Sequence, residues 1–260
     1  MKNTDLKQTY NTMHKTGKSA WFDDGQEERK AILEMGGPWD MKLVLEIGCG
    51  EGDLMNMIYS RGGLIDGCDY SAEALETFKH RYPMISVQTR CPKWEDLPGM
   101  PAGGYDILVM QGVMEHLDNP FTELADMIER FKPKTVITSM PGFLNTRGII
   151  WHTLDMLGAV MSKTDLHFID PWDVVRFCID YGYSYRMESI EHGWGLGKKM
   201  IEDLYKRIPL ALKDGGIPIE MPAVNRLLQW LARLIDWDDC DPSKRTIAGD
   251  GAVYIYRIDL

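Results

Sequence analysis

The chain is poor in the residues on which several protein classes depend. Its five cysteines, at positions 49, 68, 91, 178 and 240 of 260, form no C-x-x-C pair and are odd in number. That speaks against a disulfide framework and against a cysteine zinc site. A reducing cytoplasm is the expected home. No two of the six histidines stand four residues apart, so no metal is expected. Lysine and arginine number 29 against 39 acidic residues, a formal net charge of -10. Such a surface repels a phosphate backbone, and nucleic acid is not expected as a partner. The first residues, "MKNTDLKQTYNTMHKTGKSAW", lack the apolar core of a signal peptide, and the most apolar later run, "GIIWHTLDMLGAVM", is short and carries His152 and Asp155. No membrane span is expected. Internal repeats and low-complexity tracts are absent too. These exclusions leave a globular chain, 44% hydrophobic, long enough for one domain with insertions and suited to a small-molecule partner.

What is present is a rhythm. After residue 40, short apolar runs alternate with helical segments, as in a parallel sheet covered by helices. "KLVLEI" (42–47), "GLIDGC" (63–68), "MISVQ" (84–88), "YDILVM" (105–110) and "KTVITSM" (134–140) read as strands. A sixth is expected near 184–190, and "GAVYIYRI" (251–258) reads as the seventh. Ser71 can cap a helix with Glu73 in its first turn, and Asn119 with Pro120 opens another. Asp170 and Pro171 start a third, which Gly182 ends. Residues 1–39 read as an N-terminal helical extension, while 141–170 and 192–250 are insertions in a domain spanning 40–260. Insertions of this kind commonly cover sites. In the last one, Pro222 precedes an apolar helical face of Val224, Leu227, Leu228, Leu231, Leu234 and Ile235. That face suits either a membrane interface or burial against its own domain or a second subunit in a homodimer. The lack of a basic cluster favours burial.

The stretch "LEIGCGEGDL" (45–54) carries the chemistry. A strand running into G-x-G and then a helix lets a ligand approach bare backbone. Dinucleotide enzymes place G-x-G-x-x-G there, but position 53 is Asp. A carboxylate at the helix mouth opposes a pyrophosphate and tolerates a ligand with positive charge. Asp69 ends the second strand about twenty residues on, where a carboxylate can accept hydrogen bonds from both ribose hydroxyls. Turn and acid together point to an adenosine-type ligand.

On these residues the chain resembles the class I, S-adenosylmethionine-dependent methyltransferases. "VLEIGCGEG" (44–52) matches the glycine motif, "GCDYSAEAL" (67–75) the ribose-binding acid, and "YDILVMQGVMEHLDNP" (105–120) the fourth-strand motif. "MEHLDNP", "SMPGFLNTRGIIWHTL" and "TDLHFIDPWDV" bring it nearest to the ubiquinone-type and MetW-like branches. The resemblance covers roughly residues 40–190 and the final strand. It implies a Rossmann-like, seven-stranded, mostly parallel sheet with helices on both faces and lid insertions. It further implies that Glu46, Gly48, Cys49 and Gly50 surround the amino-acid part of S-adenosylmethionine, that Asp69 holds the ribose, and that Tyr70 lies against the adenine. "CPKWEDLP" (91–98) matches the adenine-edge stretch, with Lys93 where the family commonly has Asp and with Trp94 as a backbone donor and aromatic wall. Gln111 would border the methionine portion.

Methyl transfer to a hydroxyl or ammonium needs a base, a role for which histidine is suited. His116 follows the fourth strand on the acceptor side, where it is either that base or part of the turn into the next helix. His152 and His167 lie in the insertion expected to roof the pocket, with helix packing as the alternative for His152. In the extension, Lys18, Trp21 and Arg29 either close over the site or form a solvated amphipathic helix. The expected function is methyl transfer to an oxygen or nitrogen of a small molecule. A cofactor-binding accessory protein of the MetW-like type is the alternative, and an NAD-dependent oxidoreductase a more remote one.

Overall fold

The computed structural model describes residues 3–16, 25–85, 94–97, 101–162, 164–190, 198–240 and 253–260. Among them, the strands β1 (Leu43–Ile47), β2 (Leu64–Cys68), β3 (Ile107–Gln111), β4 (Thr135–Pro141), β5 (Ser184–Ile190) and β6 (Val253–Asp259) form one sheet in the order β2-β1-β3-β4-β6-β5. The apolar runs "LVLEI" and "ILVMQ" are buried almost throughout, as strands covered on both faces must be. β1 pairs in parallel with β2 and β3, and β3 with β4. At the far side, Leu260 N donates to Lys134 O (3.1 Å) and Thr135 Oγ1 to Asp259 (3.0 Å). The end of β6 therefore lies beside the start of β4, so β6 runs the opposite way.

Among the described residues, six strands stand where seven are expected from the sequence. Of the strand expected at 84–88, Met84 and Ile85 are described. Ile85 N donates to Tyr82 O (3.1 Å), closing a turn, and the Ile85 side chain joins Phe78 and Met55 in a buried cluster instead of entering a ladder. Residues 86–88 lie outside the described residues.

The helices are α1 (Asn3–Lys15), α2 (Gln26–Gly36), α3 (Asp53–Tyr59), α4 (Ala72–Arg81), α5 (Pro120–Phe131), α6 (Thr146–Met156), α7 (Pro171–Tyr181), α8 (Lys198–Asp214) and α9 (Met221–Cys240). Their ends follow local chemistry. Ser71 caps α4, its oxygen accepting from Ala74 N (3.2 Å), with Glu73 in the first turn and Lys79, His80 and Arg81 in the last. α5 opens on Pro120, and Glu123 reaches back to Asn119 N (2.9 Å). Gly182, at φ 73°, follows the end of α7.

The chain divides into two compact units. Residues 1–140, 171–188 and 255–260 make the first, which contains most of the sheet; residues 141–170 and 189–254 make the second. In the second, Val224, Leu228 and Leu231 of α9 are buried with Met200, Leu204 and Ile208 of α8. Of the apolar face noted in the sequence, Val224, Leu227, Leu228 and Leu231 thus pack within their own unit, and the side chains of Leu234 and Ile235 lie outside the described residues. An open groove of about 500 Å³ along α8 and α9 is lined by Ile201, Tyr205, Leu228 and Ala232 and holds none of the site residues read from the sequence. Among the described residues, no helix is long and apolar enough to cross a membrane.

Candidate cofactor and active site

Sheet register assembles the site. Ile47 lies opposite Cys68 of β2 and Met110 of β3, so Gly48, Asp69 and Gln111, each the next residue along its strand path, emerge together at the carboxyl edge. The chain passes from β1 to β2 on one side and returns to β3 on the other, and the crevice where strand order reverses is where α/β folds bind ligands. Gln111 is the last residue of β3, which ends one position later than the sequence suggests.

The glycine turn is tied to the neighbouring strand, with Gly48 N and Cys49 N both donating to Cys68 O (2.8 and 3.0 Å). Two of its glycines differ in kind. Gly52, at φ 84°, caps α3, and a Cβ there would come within 2.0 Å of the Phe78 ring. Gly50, at φ 52°, has nothing within 4 Å of where a Cβ would stand. Packing requires the first glycine. The second leaves an open approach to backbone, as a bound nucleoside needs.

Carboxylates surround that opening. Asp69 Oδ2 accepts from Gly50 N (2.9 Å) and Oδ1 from Ser71 N (2.7 Å), so the acid shapes the turn and keeps further lone pairs on both oxygens. Burial raises its pKa, and the two backbone N–H groups oppose the shift. Glu46 is 2% exposed, and its Oε2 has no hydrogen-bond partner among the described residues. Burial lifts its carboxyl well above the usual range; Arg29 opposes this, while Asp69 and Asp53 reinforce it. Burial and the neighbouring acids also push the Cys49 thiol up, and Cys49, Cys68 and Cys178 are in no disulfide. Tyr70 is half-buried with an unpartnered hydroxyl among the described residues, and its pKa is raised by burial and then by Asp69.

Asp53 requires a correction. The sequence leaves its charge available to a cationic ligand, but the structure surrounds it with donors. Arg81 lies 3.1 Å away, Arg29 3.6 Å, and Tyr82 donates to it at 2.6 Å. The acids left without such neutralisation are Glu46 and Asp69, deeper in the crevice.

The first two helices supply groups that sequence motifs do not reveal. Tyr10, Asn11 and His14 share one face of α1, as three- and four-residue spacing dictates. Tyr10 Oη lies 2.9 Å from His116 Nε2, and its ring lies 5.6 Å from that of Tyr70. Asn11 accepts from Ser71 Oγ (2.8 Å), and His14 Nδ1 is 3.0 Å from Glu51. From α2, Arg29 Nε donates to Gln111 Oε1 (3.4 Å), while Gln111 Nε2 donates to Glu28 (3.0 Å). Arg29 was visible in the sequence as a candidate. Tyr10, 106 residues from its partner, had no local signal.

The remaining candidates are spread out. Trp94 begins a 3-10 turn, its indole edge-on to Phe131 and its N–H 3.5 Å from Glu123, so its ring is engaged with α5. Lys93, Lys18 and Trp21 lie outside the described residues. His116 stands in the turn Met114–His116 directly after β3. His152 and His167 belong to the second unit. The ring of His152 packs edge-on between Phe143 (5.4 Å) and Phe168 (4.7 Å), and His167 is half-buried in the segment between α6 and α7. Among the described residues, no group of three or more His, Cys, Asp or Glu side chains is arranged to hold a metal.

Residues 44–134 match the family model described as a methyltransferase domain. Among curated relatives, the ubiquinone biosynthesis O-methyltransferase of Thiobacillus denitrificans is 30% identical over 94 residues, 35% of this chain and 40% of that protein. The chain thus matches less than half the length of such relatives. In fold it is similar to a cyclopropane-fatty-acyl-phospholipid synthase-like protein from Lactobacillus casei, with a TM-score of 0.57 at 14% identity over 100% of this chain and 94% of that one. It is also similar to phosphoethanolamine N-methyltransferase 2 of Haemonchus contortus, solved with S-adenosyl-L-methionine. That match has a TM-score of 0.52 at 15% identity over 90% of this chain and 52% of the other.

The two glycines give one test. Gly50→Ala meets no atom, so its stability cost should stay near the roughly 1 kcal/mol of a left-handed alanine, while S-adenosylmethionine affinity falls at least about tenfold. Gly52→Ala strikes Phe78 and should lower stability by about 1–3 kcal/mol. Unfolding curves and calorimetric titration read both. Glu46 gives another. Its folded-state pKa is raised, so its stabilising contribution is complete below the unfolded value and is lost as pH rises through the folded one. Glu46→Gln should therefore match the wild type at acid pH and become the more stable of the two as pH increases toward neutrality. Parallel pH–stability curves would refute the assignment.

Proposed function

We propose that this protein is an S-adenosylmethionine-dependent methyltransferase acting by direct displacement on an oxygen or nitrogen of a small-molecule acceptor in the cytoplasm. One observation carries the reading: an open glycine turn at the switch point lies beside two buried acids, Glu46, whose Oε2 has no hydrogen-bond partner among the described residues, and Asp69, which keeps lone pairs beyond its two backbone bonds. That environment favours a nucleoside bearing positive charge over a dinucleotide pyrophosphate. When bound, S-adenosylmethionine supplies a methyl group already activated on a sulfonium.

The protein's share is positioning and proton handling. Asp69 has lone pairs left for the ribose hydroxyls, and Tyr70 offers its ring to the adenine. Lys93 and Trp94 would serve the adenine edge. Gly48, Cys49, Gly50 and Gln111 border the amino-acid part, the unpartnered Glu46 oxygen suits its ammonium group, and Arg29 suits its carboxylate. His116, held by Tyr10, accepts the proton of the acceptor hydroxyl or ammonium. His167 is the second candidate base, whereas the packing of His152 between two phenylalanines suits a structural role. Oxygen as the acceptor atom is supported by the relatives named ubiquinone biosynthesis O-methyltransferase. Nitrogen is supported by the phosphoethanolamine N-methyltransferase fold neighbour.

Incubation with S-adenosylmethionine and a panel of phenols and amines should release S-adenosylhomocysteine in an acceptor-dependent way. Tight cofactor binding without turnover on any acceptor would instead point to an accessory role.

A further inference from the structure

The second unit holds a charge cluster that methyl transfer does not use. Arg147 sits in the first turn of α6, and Asp203 and Arg207 lie one turn apart on α8. Arg147 Nε donates to Asp203 Oδ2 (3.2 Å) and Arg207 Nε to Asp203 Oδ1 (2.5 Å). Both guanidinium carbons lie over the ring of the buried Trp151, 4.2 and 5.2 Å from its centroid. One carboxylate therefore serves two guanidiniums through their Nε atoms. Among the described residues, no hydrogen bond occupies their terminal nitrogens, which are the fork that grips carboxylate and phosphate oxygens.

The charge balance is lopsided. α6 has no acidic residue in its first turn, and Arg147 stands at the positive end of the helix dipole, against the usual preference. Burial pulls the Arg147 guanidinium below its ordinary range. Asp203 opposes this most, the nearby Arg207 adds to it, and Asp165 contributes a weaker opposing charge. Thr146 Oγ1, in the same turn, and Trp151 Nε1 are buried without partners among the described residues. The Arg147 side chain is 13% exposed and that of Arg207 37%, so the cluster is walled by Trp151 and reached from solvent beside Arg207.

We propose that Arg147 and Arg207, stacked on Trp151, form a binding site for an oxyanion, either a carboxylate or a phosphate group. Two guanidiniums share Asp203, and Asp165 adds only a weaker opposing charge, so the pair keeps a positive bias, and terminal nitrogens without a hydrogen bond among the described residues offer the geometry to hold an anion.

Calorimetric titration of the full chain with inorganic phosphate, and in a separate arm with benzoate, should give saturable binding of at least one, and the arm that binds tells phosphate from carboxylate recognition. Arg207→Gln retains the buried Arg147–Asp203 pair and should weaken that binding at least about tenfold. Asp203→Asn removes the competing carboxylate and should tighten it, a response opposite in sign to that of general damage. No saturable binding in either arm overturns the proposal, as does equal affinity in Arg207→Gln or weaker binding in Asp203→Asn. No nucleoside or methyl transfer enters the measurement, so its failure would leave the methyltransferase reading standing.

Discussion

His116→Ala is expected to lower turnover by roughly 10²–10⁴, the usual contribution of a positioned general base, while S-adenosylmethionine affinity stays within about twofold of the wild type. The reason is placement. His116 lies in the turn that follows β3, five residues past the strand end that closes the crevice, and its ring is fixed by Tyr10 from α1 at 2.9 Å. A base held this way loses little freedom when it meets the acceptor. His152→Ala makes the contrast, because a ring wedged between Phe143 and Phe168 should register mainly in the unfolding temperature. Single-turnover rates, binding isotherms and melting curves separate the two effects. Comparable losses of rate in the His116, His152 and His167 variants would indicate disturbed packing, and His116 would lose its role.

Asp69→Ala should weaken cofactor binding by about 1–3 kcal/mol, roughly 5- to 150-fold. The structure gives two additive reasons. The carboxylate oxygens have lone pairs free for hydroxyl donors, and the same oxygens already hold Gly50 N and Ser71 N, which keep the glycine turn in shape. The alanine variant removes both functions, so the loss belongs near the upper end of that range. Asp69→Asn keeps one acceptor oxygen and should fall between wild type and alanine. Titrations showing unchanged affinity in the alanine variant would remove Asp69 from the site.

Much of the architecture is written in local chemistry. The Ser71 cap, the Pro120 and Pro171 starts and the Gly182 stop mark their helices because helix ends are set by chemistry within a few residues. The apolar runs that became β1 to β4 were legible because a strand buried on both faces needs continuous hydrophobicity. Ile85 shows the limit of that signal, since an apolar residue serves a core from a turn as well as from a strand.

The site was half legible, and for a physical reason. Gly50 and Asp69 are legible as candidates because bare backbone and a strand-end acid are what a nucleoside site would require locally. Asp53 shows what a motif conceals: its charge is read from the chain, but Arg29, Arg81 and Tyr82, which neutralise it, arrive from two other segments, α2 and the end of α4.

By itself, then, the sequence determined the order of strands and helices, the glycine turn, its acid and the class of ligand they favour, all of them consequences of residues near one another along the chain. Only the tertiary structure decided which acids remain without full partners, that Tyr10 would hold His116, and that Arg147 and Arg207 would share one carboxylate. Those outcomes depend on side chains 106, 56 and 4 residues from their partners, and apart from the last, a single helical turn, no local pattern encodes such distances.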